Sequence, residues 1–135
     1  MSTQNLNTII CTNLIEFEQK IESPLFVVRI PDGVTHIPDG AFKNGHLIKE
    51  VILPASLETI GGSAFRQCTS LETVTFLGNN LTSIGCSAFR QCTSLEHIAI
   101  PDGVTSIGDS AFDGCTSLEH ICAMEICLII THYKY

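Results

Sequence analysis

Basic residues are scarce in this chain. Its 135 residues include 7 Lys and Arg against 14 Asp and Glu, which gives a formal net charge of −7. A protein that binds a phosphate backbone needs a basic stripe, so this balance argues against general nucleic-acid binding. It also disfavours binding to anionic membrane surfaces. Because the commonest consequence of an acidic balance is solubility, the charge by itself identifies no partner.

Long hydrophobic runs are missing too. Near the amino terminus, Ile9-Ile10 is followed at once by Cys11-Thr12-Asn13, and no stretch reaches the length of a signal-peptide core or a membrane span. We therefore expect no membrane insertion and a cytoplasmic location. The alternative is a cell-surface or secreted location, if a leader precedes this chain.

The residue patterns of enzymes and metal sites are also missing. No glycine-rich phosphate loop follows a predicted strand, since Gly61-Gly62 belongs to a repeated turn. No Cys/His or Ser/His/Asp arrangement stands apart from that repeat, and no Cys-x-x-Cys pair supports a zinc site. We expect no catalytic residues, no cofactor and no resident metal.

What the chain does contain is a repeat. The dipeptide Ala-Phe occurs four times, at intervals of 23, 24 and 23 residues, and its phenylalanines are Phe42, Phe65, Phe89 and Phe112. A fixed period in the twenties predicts a solenoid, in which each repeat contacts its neighbours. The one extra residue falls in Leu77-Gly78-Asn79-Asn80, a turn sequence where an insertion is easily tolerated.

Each repeat also contains a segment of alternating, β-branched apolar residues, which predicts a short strand. The predicted strands, stacked in parallel, are 25–30, 48–53, 71–76, 95–100 and 118–123. The Ile-Gly-x-x-Ala-Phe portion is too short for a full helix, so it predicts a 3₁₀ or irregular turn on the convex side.

Three runs carry a family resemblance: IPDGVTHIPDGAF, LPASLETIGGSAF and IPDGVTSIGDSAFDGCTSLEHI. They resemble the BspA-like leucine-rich repeat, the subtype of leucine-rich-repeat solenoids whose 23-residue period matches the intervals above, across about residues 25–122. The resemblance implies an α/β-type, curved, right-handed solenoid with a parallel sheet on its concave face. It also implies a binding or scaffolding role, often at microbial cell surfaces, and provides no catalytic residues to carry over.

These patterns divide the single domain into three parts. Residues 1–24 are predicted to cap the first repeat, with a short amphipathic helix over 13–22; a partner-binding helix is the alternative. Residues 25–122 hold four to five repeats, and residues 123–135 form a non-repeat segment. In that segment the apolar run predicts either a closing strand or an edge for self-association through Ile126, Leu128 and Ile130. A truncated, longer repeat array is the third interpretation.

Cys68, Cys92 and Cys115 occupy one repeat position, three residues after each Phe. Equivalent positions stack, so we expect a buried column in which Cys is a small apolar filler rather than a disulfide or metal ligand. The chain has 7 cysteines, and an odd number fits a reducing compartment better than an oxidising one.

Function is expected on the outward positions of the concave sheet, since these are not fixed by the repeat. The candidate partner-binding residues are Lys49, Glu50, Glu72, Thr73, Glu96, His97, Glu119 and His120. They predict a non-catalytic module that binds a protein or peptide, with the acidic end steering a basic partner. A solvated face is the bland alternative, and a divalent cation shared by Glu96, His97, Glu119 and His120 is a third. A structural, self-assembling element is the alternative function. On the convex side, the position after each Phe holds Lys43, Arg66, Arg90 and Asp113, of which three are basic. A solvated face is the default interpretation, and a weak head-to-face association between molecules is the alternative.

Overall fold

The computed structural model describes residues 8–10 and 26–121 of the chain. Within them the backbone winds as a solenoid whose strands pair in parallel with the equivalent strands of neighbouring repeats. The ten strands are β1 Thr8–Ile10, β2 Phe26–Arg29, β3 His36–Ile37, β4 Ile48–Leu53, β5 Thr59–Ile60, β6 Thr73–Phe76, β7 Ser83–Ile84, β8 His97–Ile98, β9 Ser106–Ile107 and β10 His120–Ile121.

Six of these strands form one sheet, in the order β1-β2-β4-β6-β8-β10, which we call the main sheet. Its strands β2, β4, β6, β8 and β10 lie where strands were predicted, but most are shorter. β6, β8 and β10 begin two residues after Leu71, Leu95 and Leu118, whose amides donate to the carbonyls of the cysteines three residues earlier. At β8 the strand ends at Ile98, before Pro101, which has no amide to donate.

The first strand of the main sheet was not predicted. β1 pairs in parallel with β2, with Ile9 beside the buried Val28. The edge of the first repeat is therefore covered by a strand. The predicted capping helix over 13–22 lies outside the described residues, as does the whole segment 123–135.

A second, four-stranded sheet in the order β3-β5-β7-β9 was also missed. Each strand is two residues long, such as Thr59–Ile60, and two residues have no periodicity that a sequence pattern can detect. Its inward residues Ile37, Ile60 and Ile84 are each 2% exposed or less.

The segments that were predicted as 3₁₀ or irregular helical turns are chains of tight turns, and none of the described residues 26–121 is in a 3₁₀-helix. In the second repeat, the amides of Ala64 and Arg66 bond three residues back, whereas those of Ser63, Phe65 and Gln67 donate to the next repeat. Ser63 and Gln67 have φ of 57° and 59°, so the backbone turns left-handed twice per repeat and cannot form a continuous helix.

The predicted interior is confirmed. The rings of Phe42, Phe65, Phe89 and Phe112 stack with centroids 5.2, 5.2 and 5.4 Å apart. Each phenylalanine is at most 1% exposed, and Ala64, Ala88 and Ala111 are fully buried beside them. This column joins the turns to the two sheets, so each repeat completes its core only against its neighbours.

Candidate functional site

The outward face of the main sheet is set by the burial of alternate residues. Val51, Val74 and Ile98 point inward and are at most 4% exposed, and they are paired in register across β4, β6 and β8. Because side chains alternate along a strand, the residues on either side of them face outward. The assignment of outward positions made from the sequence is therefore confirmed where burial is described.

One exposed or half-exposed position, two residues before Val51, Val74, Ile98 and Ile121, is charged in four successive repeats; its first member lies within β4, and the other three directly precede β6, β8 and β10. We call it the main-sheet column: Lys49, Glu72, Glu96 and Glu119. Backbone hydrogen bonds join its members, since the amide of Glu72 donates to the carbonyl of Lys49 at 2.8 Å, and that of Glu96 to Glu72 at 3.2 Å. Glu119 donates to Glu96 at 3.1 Å. Glu72 is half-buried and the others are exposed, so all four charges are open to solvent or a ligand.

The neighbouring outward position holds Glu50, Thr73 and His97, and His120 is the equivalent residue of β10 by backbone register. Register pairs join Glu50 to Thr73, Thr73 to His97, and His97 to His120. His97 is exposed, and Glu96 precedes it directly on the strand. Of the eight predicted binding residues, five lie in strands of the main sheet, and the other three, Glu72, Glu96 and Glu119, directly precede its strands β6, β8 and β10.

Leu77 is a surface feature that the sequence analysis did not select. It is the large hydrophobic residue with 49% of its surface exposed, and it directly follows β6 at the one-residue insertion. The corresponding residues Pro54 and Pro101 of the flanking repeats are buried. The sequence contained a signal for this exposure, because Leu77 replaces the Pro that other repeats have at this position. Leu77 adds an exposed apolar side chain directly after Thr75 and Phe76.

The turns present a second charged position, which we call the turn column: Lys43, Arg66, Arg90 and Asp113. Its members are also linked through the backbone, because the amides of Asn44, Gln67 and Gln91 donate to the carbonyls of Arg66, Arg90 and Asp113 at 2.8, 2.8 and 2.7 Å. Within the column, the Nε atom of Arg90 lies 3.1 Å from Oδ2 of Asp113. Lys43 is exposed and the other three are partly exposed.

The buried cysteine column is confirmed. Cys68, Cys92 and Cys115 are at most 1% exposed, and each thiol donates to the carbonyl of a phenylalanine in the preceding repeat at 3.1 Å. Burial raises the pKa of the Cys68 thiol to about 12, and it raises the pKa of the Cys92 thiol as well. Because the thiolate is the reactive form, these thiols are structural and not nucleophilic.

Metal binding and membrane crossing find no support in the part of the chain that the structure describes. Among residues 8–10 and 26–121, no group of three or more His, Cys, Asp or Glu side chains could hold a metal ion. Over the same residues no helix is long and apolar enough to span a bilayer. The predicted self-association residues Ile126, Leu128 and Ile130 lie outside the described part.

Comparison with known proteins supports the repeat assignment. The sequence model of the BspA type leucine-rich repeat region matches residues 21–135, in six copies. No curated protein matches the chain by sequence.

Solved bacterial structures share the fold. A leucine-rich-repeat protein of T. pallidum, at 35% identity and a TM-score of 0.65, covers 68% of this chain and 45% of its own length. A leucine-rich-repeat protein from Bacteroides ovatus, at 36% identity and a TM-score of 0.65, covers 70% of this chain and 24% of its own length. Another from Bacteroides capillosus, at 31% identity and a TM-score of 0.62, covers 70% of this chain and 74% of its own length. The chain thus spans less than half the length of the first two proteins.

Proposed function

This chain belongs to the BspA-type leucine-rich-repeat family, and we propose that the outward face of its main sheet binds a protein with a basic surface segment. Leucine-rich-repeat proteins are generally protein-interaction or structural repeat modules and are not generally enzymes. The proposal goes further by assigning one face and one kind of partner. A cytoplasmic location stays a prediction.

The observation that carries the proposal is the alignment of three like charges. Glu72, Glu96 and Glu119 lie on hydrogen-bonded neighbouring segments, so their backbones are about 4.8 Å apart. Like charges directly opposite each other on adjacent strands destabilise a sheet. Between exposed carboxylates in water and salt the repulsion is weak, but it grows when a neighbouring surface excludes water. Cationic side chains from a partner would offset this repulsion.

The surroundings of the glutamates suit a peptide or protein and not a small molecule. His97 lies beside them on the same face, and the half-buried Ile52 and exposed Leu77 provide apolar contacts further along the strands. Charged positions at the edge of such a surface accelerate encounter with an oppositely charged partner, while apolar groups slow its dissociation. The face therefore combines the two elements that a protein-binding surface needs.

The test uses a fluorescein-labelled oligolysine as a basic probe, with oligoglutamate of equal length as its counterpart. We expect oligolysine to bind the wild-type protein in low salt and to bind Glu72→Lys, Glu96→Lys and Glu119→Lys at least tenfold more weakly. The matched control is Glu58→Lys, which changes the net charge equally at an exposed residue beside the second sheet.

Fluorescence anisotropy measures the binding, and circular dichroism confirms that each variant is folded. Equal weakening by Glu58→Lys would show that only net charge matters and would contradict the proposal. Unchanged binding in all three main-sheet variants would contradict it as well.

A further inference from the structure

The two charged columns of this protein are related by their order of signs. Along the chain the main-sheet column reads basic, acidic, acidic, acidic, from Lys49 to Glu119. The turn column reads basic, basic, basic, acidic, from Lys43 to Asp113. If one column is reversed against the other, every position meets a charge of opposite sign.

We propose that the main-sheet column of one molecule binds the turn column of a second copy, with the two solenoid axes antiparallel. The four pairs are then Lys49 with Asp113, Glu72 with Arg90, Glu96 with Arg66, and Glu119 with Lys43. The proposal rests on the proposed function, since it names a second copy as the partner of the same face.

Matched spacing supports a second copy over an unrelated basic protein. Each column has one member in each repeat. In the main-sheet column, backbone hydrogen bonds of 2.8 to 3.2 Å join neighbouring members directly. In the turn column, bonds of 2.7 to 2.8 Å join the residue after one member to the next member. The main-sheet column therefore has the interstrand spacing of about 4.8 Å, and the phenylalanines that directly precede the members of the turn column stack 5.2 to 5.4 Å apart, so the two columns have similar spacings. Two solenoids of the same period stay in step over all four repeats, whereas a helix or an extended peptide has a different rise between like-facing residues.

The charges of the two columns also determine whether the two solenoid axes run parallel or antiparallel. With the axes parallel and the repeats in step, Lys49 would face Lys43 and Glu119 would face Asp113. Those two repulsive pairs cancel the two favourable ones in the middle. The antiparallel arrangement has four favourable pairs and none that repel, so electrostatics favours it.

The turn column has more positive than negative side chains, so a second copy can supply the opposing charge. Asp113 lies 3.1 Å from Arg90, but Arg66 stands between Lys43 and Arg90 and so has a cation on each side. A glutamate from a second copy placed against Arg66 relieves this repulsion while Arg66 relieves that of the glutamates. The same contact therefore removes unfavourable terms from both surfaces.

The geometry and charge determine the form of the assembly. The two columns lie on different surfaces, so the contact is heterologous, and the growing assembly keeps one unused column of each kind, one at each end. We expect concentration-dependent open chains and not a closed dimer. Exposed ion pairs are weak, and the net charge of −7 opposes association, so the assembly is weak and is lost in about 1 M salt, where the Debye length is only about 3 Å.

Charge reversal tests the proposal on the full chain. Sedimentation velocity over a concentration series at about 0.1 M salt should show a rising average mass for the wild type. Glu96→Lys and Arg66→Glu should each reduce it to that of a monomer. The double variant Glu96→Lys/Arg66→Glu should restore association, because it exchanges the two charges of one antiparallel pair.

Two controls identify the contact. Glu58→Lys makes the same charge change as Glu96→Lys at an exposed residue outside both columns, and should associate several-fold more strongly than Glu96→Lys. Glu96→Lys/Arg90→Glu restores the pair that parallel axes would form, and should stay monomeric. Circular dichroism confirms that every variant folds.

A wild type that stays monomeric at all concentrations overturns the inference, as does association that Arg66→Glu leaves unchanged. Recovery by Glu96→Lys/Arg90→Glu in place of Glu96→Lys/Arg66→Glu overturns the antiparallel arrangement. If self-association fails while oligolysine binding still depends on Glu96, only this inference falls. If oligolysine binding fails as well, the proposed function falls with it.

Discussion

The inward and outward positions of this solenoid obey different rules. Inward, equivalent positions hold the same residue or nearly the same: four stacked phenylalanines and three cysteines whose thiols all bond to carbonyls in the same way. Outward, the main-sheet column changes from Lys49 to Glu72, and its neighbour changes from Glu50 to His97.

The difference follows from the contacts of each position. An inward side chain must fill a space whose walls are its own equivalents in the repeats on either side, so a change of volume is felt at once. An outward side chain contacts water, and most exchanges there change stability by less than about 0.5 kcal/mol. Outward positions are therefore free to change in charge, which makes them the positions where a partner is recognised.

The largest effect should come from the phenylalanine column. Phe89→Ala removes a fully buried ring stacked on both sides, and we expect a loss of about 3–5 kcal/mol in the free energy of unfolding. Phe76→Ala removes the same atoms from a half-buried position and serves as the control, with a smaller loss. Urea unfolding measures both, and equal losses would mean that the inward column is not the core.

A second pair of substitutions tests how closely the backbones of neighbouring repeats approach each other. A Cβ at Gly85 would lie 2.5 Å from the backbone nitrogen of Gly62, which cannot move aside, so Gly85→Ala should cost about 1–3 kcal/mol. At Gly62 the nearest atom to such a Cβ is the carbonyl oxygen of Cys86 at 3.4 Å. Gly62→Ala should therefore be neutral or stabilise slightly. Thermal unfolding compares the two, and a harmless Gly85→Ala would contradict the close approach.

High pH should weaken the inward cysteine column. Burial raises the pKa of the Cys68 thiol from 9.0 to about 12, so the folded state holds that proton more tightly than the unfolded state. Its stabilisation is full below pH 9.0 and is lost as the pH rises towards about 12. In that window stability should fall by about 1.4 kcal/mol per pH unit for this thiol. Cys68→Ala should show a shallower fall in urea unfolding, and an identical slope would argue against the buried thiol.

The smallest effect on stability should come from the outward face. We expect Glu96→Lys to change the free energy of unfolding by less than about 0.5 kcal/mol, with stabilisation as the direction because it relieves repulsion from Glu72 and Glu119. Differential scanning calorimetry measures the change. A loss comparable to that of Phe89→Ala would show that inward and outward positions do not differ as described.

Much of the fold was predictable because its signal is periodic. The spacing of Phe42, Phe65, Phe89 and Phe112 gave the repeat, the parallel strands and the buried columns. β1 was missed because Thr8–Ile10 lies outside the repeat and is three residues long. The four strands of the second sheet were missed because each is only two residues long, and such strands exist only through their cross-repeat hydrogen bonds.

The candidate site was predictable in membership but not in arrangement. The sequence indicated which residues are exposed, since Glu50, Thr73 and His97 alternate with Val51, Val74 and Ile98, and the charged main-sheet column interrupts the apolar pattern. It did not single out Leu77, whose exposure depends on how the longer turn packs between its neighbours. The opposite order of signs in the two columns is written in the sequence, yet it gains meaning only when both columns are known to have similar spacings.

By itself, the sequence determined the period, the buried residues and the class of fold, because hydrophobic burial at equivalent positions leaves a repeating mark on the chain. Only the tertiary structure decided where the strands begin, and which amides bond within a turn or to the next repeat. It also decided that position 85 must be glycine. These depend on distances between atoms about 23 residues apart in sequence. No local pattern encodes them, since backbone groups are alike in every residue and choose their partners only when the repeats stack.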